Sequence, residues 1–241
     1  MVEPREDVTL GKLPLTYRAL FTSFLLVMGL GLCMAGAQIM LTHGAADGKM
    51  GLSMDDIVYS YYGNRSGSKL ESAMTGKMKS KAPAEVSFAM IQWARDGAPA
   101  EQWNKLAPLF EKHCASCHDA ESGLPEVNKI DVARSLSETD QGASIATLTR
   151  VSHIHLFGIG FIFLFVGWIF GMAEFNQRWK IILITTPFAF LVLDIASWWL
   201  TKFWPAFAWF TMIGGIGYSI AAMVMFVTAF AQMWLPRWTK K

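Results

Sequence analysis

Hydrophobic and polar residues in this chain are segregated into four long apolar runs and one long mixed segment. Ala19 to Leu41 is 23 residues without a charge, and Val151 to Ala173 is a second such run. Ile181 to Leu200 carries one acid, Asp194, and Ala206 to Leu235 is uncharged over 30 residues. About 20 apolar residues are needed to cross roughly 30 Å of hydrocarbon. Lipid offers backbone polar groups no partner, so runs of this kind are expected to be helices. The pattern predicts an all-α protein with transmembrane helices at 19–41, 151–173, 181–200 and 206–235. Residues 1–18 precede the first span, and 42–150 form a domain inserted between the first and second.

The mixed segment predicts shorter helices. Asp55 to Tyr62 reads as a helix leading into the inserted domain, and Ala84 to Arg95 and Ala100 to His113 as its two main helices. Ser122 to Gly142, with its run "SLSETDQG", reads as a tether back to the membrane. Composition agrees with the spans: 53% of residues are hydrophobic, with 10 Trp and 17 Phe, which is rich for a soluble domain of this length. Ala35, Gly36 and Ala37 resemble a signal cleavage site, but the apolar run is too long for a signal core and reads as a retained anchor.

Lys and Arg near helix ends set the expected orientation. Arg5, Lys12 and Arg18 precede the first span, Arg178 and Lys180 lie between the second and third, and Arg237, Lys240 and Lys241 follow the fourth. Lys202 is the only basic residue in the short loop on the other side. Both termini are therefore expected in the cytoplasm and 42–150 outside, in the periplasm of a bacterial inner membrane. A net charge of +2, spread over loop ends, gives no reason to expect a nucleic-acid partner.

Of three cysteines, Cys33 is alone within the first span, and Cys114 and Cys117 form Cys-Ala-Ser-Cys-His with His118. This run fits covalent haem attachment, with two thioether anchors and an axial histidine. A zinc site would need a second ligand pair at suitable spacing, and a thioredoxin-like redox pair would want a βαβ setting. The stretch "EQWNKLAPLFEKHCASCH", 101–118, resembles the first helix and haem motif of a class I cytochrome c. The stretch "GSKLESAMTGKMKSKAPAEVSFAMIQWARDGAP", 67–99, resembles the second half of the same domain, with Ile91, Trp93, Gly97, Ala98 and Pro99 in its last helix and turn. The Ile-to-Trp spacing is one residue short of the family pattern.

The two halves stand in reversed order, so the resemblance implies a circularly permuted domain. Permutation is tolerated where the two termini of a domain lie close together. It also implies a second iron ligand upstream of the cysteines. No methionine lies between His118 and Met172. Met78 is the first candidate and Met74 the second; Lys79 follows Met78 where the family usually has proline.

Four ionisable residues fall near the outer membrane edge. His43 closes the first span, His153 and His155 open the second, and Asp194 lies in the third. Ionisable groups within a span are costly and are functional suspects. One reading gives His43 and one of His153 or His155 to a non-covalent haem b. A second makes a quinol or proton site, with His155 and Asp194 as a hydrogen-bonded pair. A third is interfacial anchoring and packing. The whole sequence is expected to be an electron carrier rather than a stand-alone enzyme, with redox proteins and other membrane subunits as partners. The alternative is a structural or assembly subunit of a larger respiratory or photosynthetic complex that carries a peripheral haem.

Overall fold

The computed structural model describes residues 8–44, 46–47, 49 and 51–235. Arg5, Arg237, Lys240 and Lys241, counted above for orientation, lie outside the described residues. Among the described residues the regular structure is helical throughout: nine α-helices, two short 3-10 turns and one isolated β-bridge. The chain divides into two compact units. A membrane unit holds residues 8–37, 145–199 and 207–235. An inserted unit holds 38–144 together with 200–206.

The four long helices of the membrane unit are α1 (Leu15–Thr42), α7 (Ile145–Gly171), α8 (Gln177–Thr201) and α9 (Ala208–Trp234). All are long and apolar enough to cross a membrane. Three of them begin earlier than hydropathy predicts. α1 starts right after Pro14, a residue preset for the first turn. α7 starts at Ile145 because its first turns, though polar, are amphipathic and bury Leu148. α8 starts at Gln177 because the Asn176 side chain accepts from the Arg178 N–H at 3.1 Å, the work of an N-cap. Hydropathy sees where lipid starts, whereas caps decide where a helix starts.

The core of this unit lies towards the start of α1. Leu10, Leu25, Ile169, Phe170, Met225 and Met233 pack together. The turn Leu10–Lys12 is drawn in by Leu10 N–H donating to the Met172 carbonyl at 3.0 Å. Arg18 lies inside the first turn of α1 rather than ahead of it, and its guanidinium donates to the carbonyls of Gly11, Leu13 and Met233. One charge thereby satisfies orphan carbonyls at the end of α9 and in the N-terminal turn.

Of the span glycines, two are demanded by close approach. A Cβ on Gly214 would stand 2.7 Å from that of Asp194, and one on Gly217 would stand 2.6 Å from the Phe190 ring. These are the points where α8 and α9 touch, as small residues allow in membranes. Gly31, Gly36, Gly158 and Gly160 face open space.

The inserted unit contains α2 (Met54–Tyr61), α3 (Lys69–Thr75), α4 (Ala84–Arg95), α5 (Ala100–Cys114) and α6 (Ile130–Leu136). α2 opens with a capping box: Ser53 Oγ accepts from Asp56 N–H, and the Asp56 carboxylate accepts from Ser53 N–H. α4 has the predicted bounds and α5 runs one residue further. The segment 122–142 is not a simple tether. It holds α6, whose Ala133 is fully buried, and Val127 joins the same core. Half of the residues in 127–136 are apolar, and α6 packs them against α3 and α5.

That core joins both sequence halves. Leu70 and Met74 of α3, Met90 and Trp93 of α4, and Leu106 and Phe110 of α5 form one cluster. Trp93, Trp103 and Phe110 stack with ring centroids 5.4–6.2 Å apart. The halves meet at the turn Gly97–Ala98–Pro99, where Gly97 and Ala98 both have positive φ. Trp93 Nε1 donates to the Pro99 carbonyl at 3.0 Å and Arg134 Nε to that of Ala98 at 3.0 Å, which holds this uncommon backbone. The unit closes where Gly63 (φ 88°) crosses Gly142 (φ 65°); a Cβ on either would lie under 2.5 Å from backbone atoms. The loop 200–206 belongs here too. Lys202 Nζ donates to the Gln141 and Ala143 carbonyls, and Arg65 donates to the Lys202 carbonyl.

Candidate functional site

Cys114 ends α5, and one tight turn carries the rest of the motif. The Cys114 carbonyl accepts from Cys117 N–H at 3.1 Å and from His118 N–H at 3.0 Å. Cys114 is half-buried against the Trp93–Phe110 core, while Cys117 is exposed. Burial, with Cys117 beside it, pushes the Cys114 thiol up, so it stays protonated at neutral pH. His118 is half-buried, and its Nδ1 meets the Pro125 carbonyl at 2.9 Å. A carbonyl can only accept, so this contact places the proton on Nδ1 and leaves the Nε2 lone pair free. That is how an iron-ligating imidazole is held.

The two methionines differ. Met74 lies in α3 with 6% exposure, fixed in the core. Met78 lies beyond the end of α3, half-buried at the edge of the same core, in a turn whose N–H bonds the Ala73 carbonyl at 2.8 Å. Among the described residues no group of three or more His, Cys, Asp or Glu could hold a bare metal ion. A haem iron asks for only two protein ligands, so this bears on a zinc site and not on haem.

The four membrane-edge residues are divided between the units. His43 belongs to the inserted unit, where its Nδ1 meets Ser60 Oγ at 2.7 Å. Burial, with Lys77 nearby, holds this imidazole below its ordinary range, outweighing the opposite pull of Asp56. His153, His155 and Asp194 belong to the membrane unit. His153 is exposed beside the Phe157 ring. His155 Nδ1 meets the Val151 carbonyl one turn back at 2.8 Å, and its ring stands edge-on to Trp198. Asp194 is 4% exposed and accepts from Trp198 Nε1 at 2.9 Å, with Tyr218 nearby. His155 and Asp194 thus meet the same indole. Trp198 stands four residues after Asp194 on the same helix face, so spacing could have suggested it. Tyr218, on another helix, and Pro125, across a loop, could not be read from spacing.

Among comparisons with known proteins, the Aq_1264_TM family, described as a transmembrane helical domain, matches residues 131–240. The match runs from α6 through α9 and leaves out α1 and the cysteine motif. With four apolar spanning helices, the chain is a multi-pass membrane protein. No curated protein and no solved structure matches it.

Proposed function

We propose that this chain is a membrane-anchored c-type cytochrome that relays electrons on the periplasmic side of a bacterial inner membrane, with both termini in the cytoplasm. The observation that carries the reading is the His118–Pro125 bond, which directs Nε2 of the motif histidine to a ligand beside two free thiols. Cys114 and Cys117 are the thioether anchors, His118 is the proximal ligand and Met78 the distal one. When bound, the haem supplies a one-electron iron couple. The aromatic core around Trp93 and Phe110 excludes water from the face of the motif turn that carries Cys114. A thioether ligand from Met78 favours the reduced iron and raises the potential. Lys12, Arg18, Arg178 and Lys180 support the orientation through the positive-inside bias.

Mass spectrometry of chain purified from cells that mature cytochromes c tests the reading. One haem mass bound through Cys114 and Cys117 is expected, and an unmodified mass refutes it. A pyridine haemochrome spectrum of the same sample counts any b-type haem, for which His43, His153 and His155 were the candidates from sequence.

The alternative, a subunit of a larger complex, is favoured by α1. Leu25 is its only buried residue, and Leu20, Leu26, Leu30 and Met34 are exposed. Other subunits in fixed ratio in material purified from native membrane would support it.

A further inference from the structure

The stretch 200–206 joins α8 to α9, and the last two residues of α8, Leu200 and Thr201, belong with it to the inserted unit. Both helices are long and apolar enough to span a membrane. Chain connectivity therefore puts this loop at a membrane surface. Phe203 and Trp204 are 54% and 59% exposed there, with ring centroids 5.9 Å apart. Aromatic side chains at the end of a span sit at the level of the lipid headgroups.

Three cations of the inserted unit border the same loop. Residues 67–69 run against 138–140 through an isolated bridge between Ser68 and Thr139. Lys69 N–H donates to the Glu138 carbonyl at 3.1 Å, and Asp140 N–H to that of Gly67 at 2.9 Å. Lys202 Nζ takes carbonyls further along that stretch, Gln141 at 3.1 Å and Ala143 at 2.6 Å. Arg65 Nη2 donates to the Lys202 carbonyl at 2.9 Å and Nε to that of Tyr62 at 3.2 Å, with the guanidinium 3.6 Å from the centre of the Tyr62 ring.

These partners are neutral, so they accept hydrogens and leave the charges uncompensated. The carboxylate of Asp140 is committed to the N–H groups of Asn64 and Gly142. Neither Asp140 nor Glu138 forms an ion pair among the described residues. Burial, with Arg65 and Lys69 beside it, holds the Lys202 ammonium below its ordinary value, outweighing the opposite pull of Asp140. Donors remain for a ligand: Lys69 Nζ, Arg65 Nη1 and one hydrogen of Lys202 have no partner among the described residues. A guanidinium edge beside two ammonium groups matches a phosphate, which brings both the negative charge and the acceptors. At a membrane surface that phosphate belongs to a lipid.

We propose that Arg65, Lys69 and Lys202 bind the phosphate of an anionic phospholipid, with Phe203 and Trp204 set among the neighbouring headgroups. The site needs no haem and stands apart from the cytochrome reading. The orientation proposed above makes its leaflet the periplasmic one.

The test titrates the full chain in a neutral detergent with phosphatidylglycerol, with phosphatidylcholine and glycerol phosphate in parallel. Hydrogen exchange by mass spectrometry locates the binding. Phosphatidylglycerol should slow exchange in peptides covering 62–69 and 200–206, and phosphatidylcholine should not. The phosphatidylglycerol concentration for half-protection should rise about fivefold in Lys69→Gln, the loss of one cation near the surface. Lys69 makes no side-chain hydrogen bond, so this variant keeps the loop in place, and Lys69→Arg should restore the wild-type value. Arg178→Gln, at the other end of α8, should leave protection at 62–69 and 200–206 unchanged. The proposal is overturned by a folded wild type whose two peptides ignore phosphatidylglycerol, by equal protection from phosphatidylcholine, or by protection that Lys69→Gln leaves intact. Equal protection by glycerol phosphate overturns it too, since the site would then take free phosphate esters and not lipid.

Discussion

Phe110→Ala tests whether the two sequence halves form one cooperative domain. Phe110 sits on α5 at 1% exposure, with Trp93 of α4 and Trp103 of α5 against its ring. Removing a fully buried phenylalanine typically costs about 3–5 kcal/mol, from lost transfer energy and the cavity left behind. The two aromatic contacts, each worth about 0.5–1.5 kcal/mol, are part of that sum and place the value in its upper half. Domains are stable by only about 5–15 kcal/mol, so the variant should remain folded but open far more often. At about 1.4 kcal/mol per factor of ten, exchange-competent opening should become about three to four powers of ten more frequent. Hydrogen exchange by mass spectrometry on the full chain in detergent reads this peptide by peptide. Acceleration is expected in α3 and α4, which precede the cysteine motif, as much as in α5, because all three share one core. Acceleration confined to α5 would refute the single-core argument and with it the permuted domain.

Three further outcomes follow from the same geometry. Met74→Ala should destabilise the chain by about 2–5 kcal/mol as a core truncation, whereas Met78→Ala should cost less stability but abolish the methionine–iron absorption band; loss of the band in Met74→Ala alone would move the ligand by one turn. Gly214→Leu should lower the melting temperature in detergent more than Gly36→Leu, because a Cβ at 214 collides with Asp194 while position 36 is open; equal shifts would show that α8 and α9 do not touch there. Because folding depresses the His43 value, the unfolded chain binds the extra proton between the folded value and about 6.5. Stability from this group is therefore complete above about pH 6.5 and falls as pH drops below it, and melting curves of His43→Gln should lose that part of the pH slope.

The sequence by itself determined which segments meet lipid and where the haem-type motif lies. Both are local properties. Twenty apolar residues in a row admit one secondary structure in a bilayer, and Cys-x-x-Cys-His is contiguous. The ends of α4 and α5 were legible for a similar reason: Pro83 and Pro99 stand just before them. Tertiary structure decided the rest. Whether 122–142 is a tether or a helix depended on α3 and α5 offering Ala133 and Val127 a place to bury. Which span glycines matter depended on where α8 and α9 cross, since glycine looks the same in sequence whether it faces a neighbour or lipid. The partners of the ionisable residues were likewise out of reach. Ser60 for His43, Pro125 for His118 and Tyr218 for Asp194 are contacts across loops or between helices. Hydrogen-bond commitments are settled only when distant segments are brought within about 3 Å of one another, and no periodicity in a sequence encodes that distance.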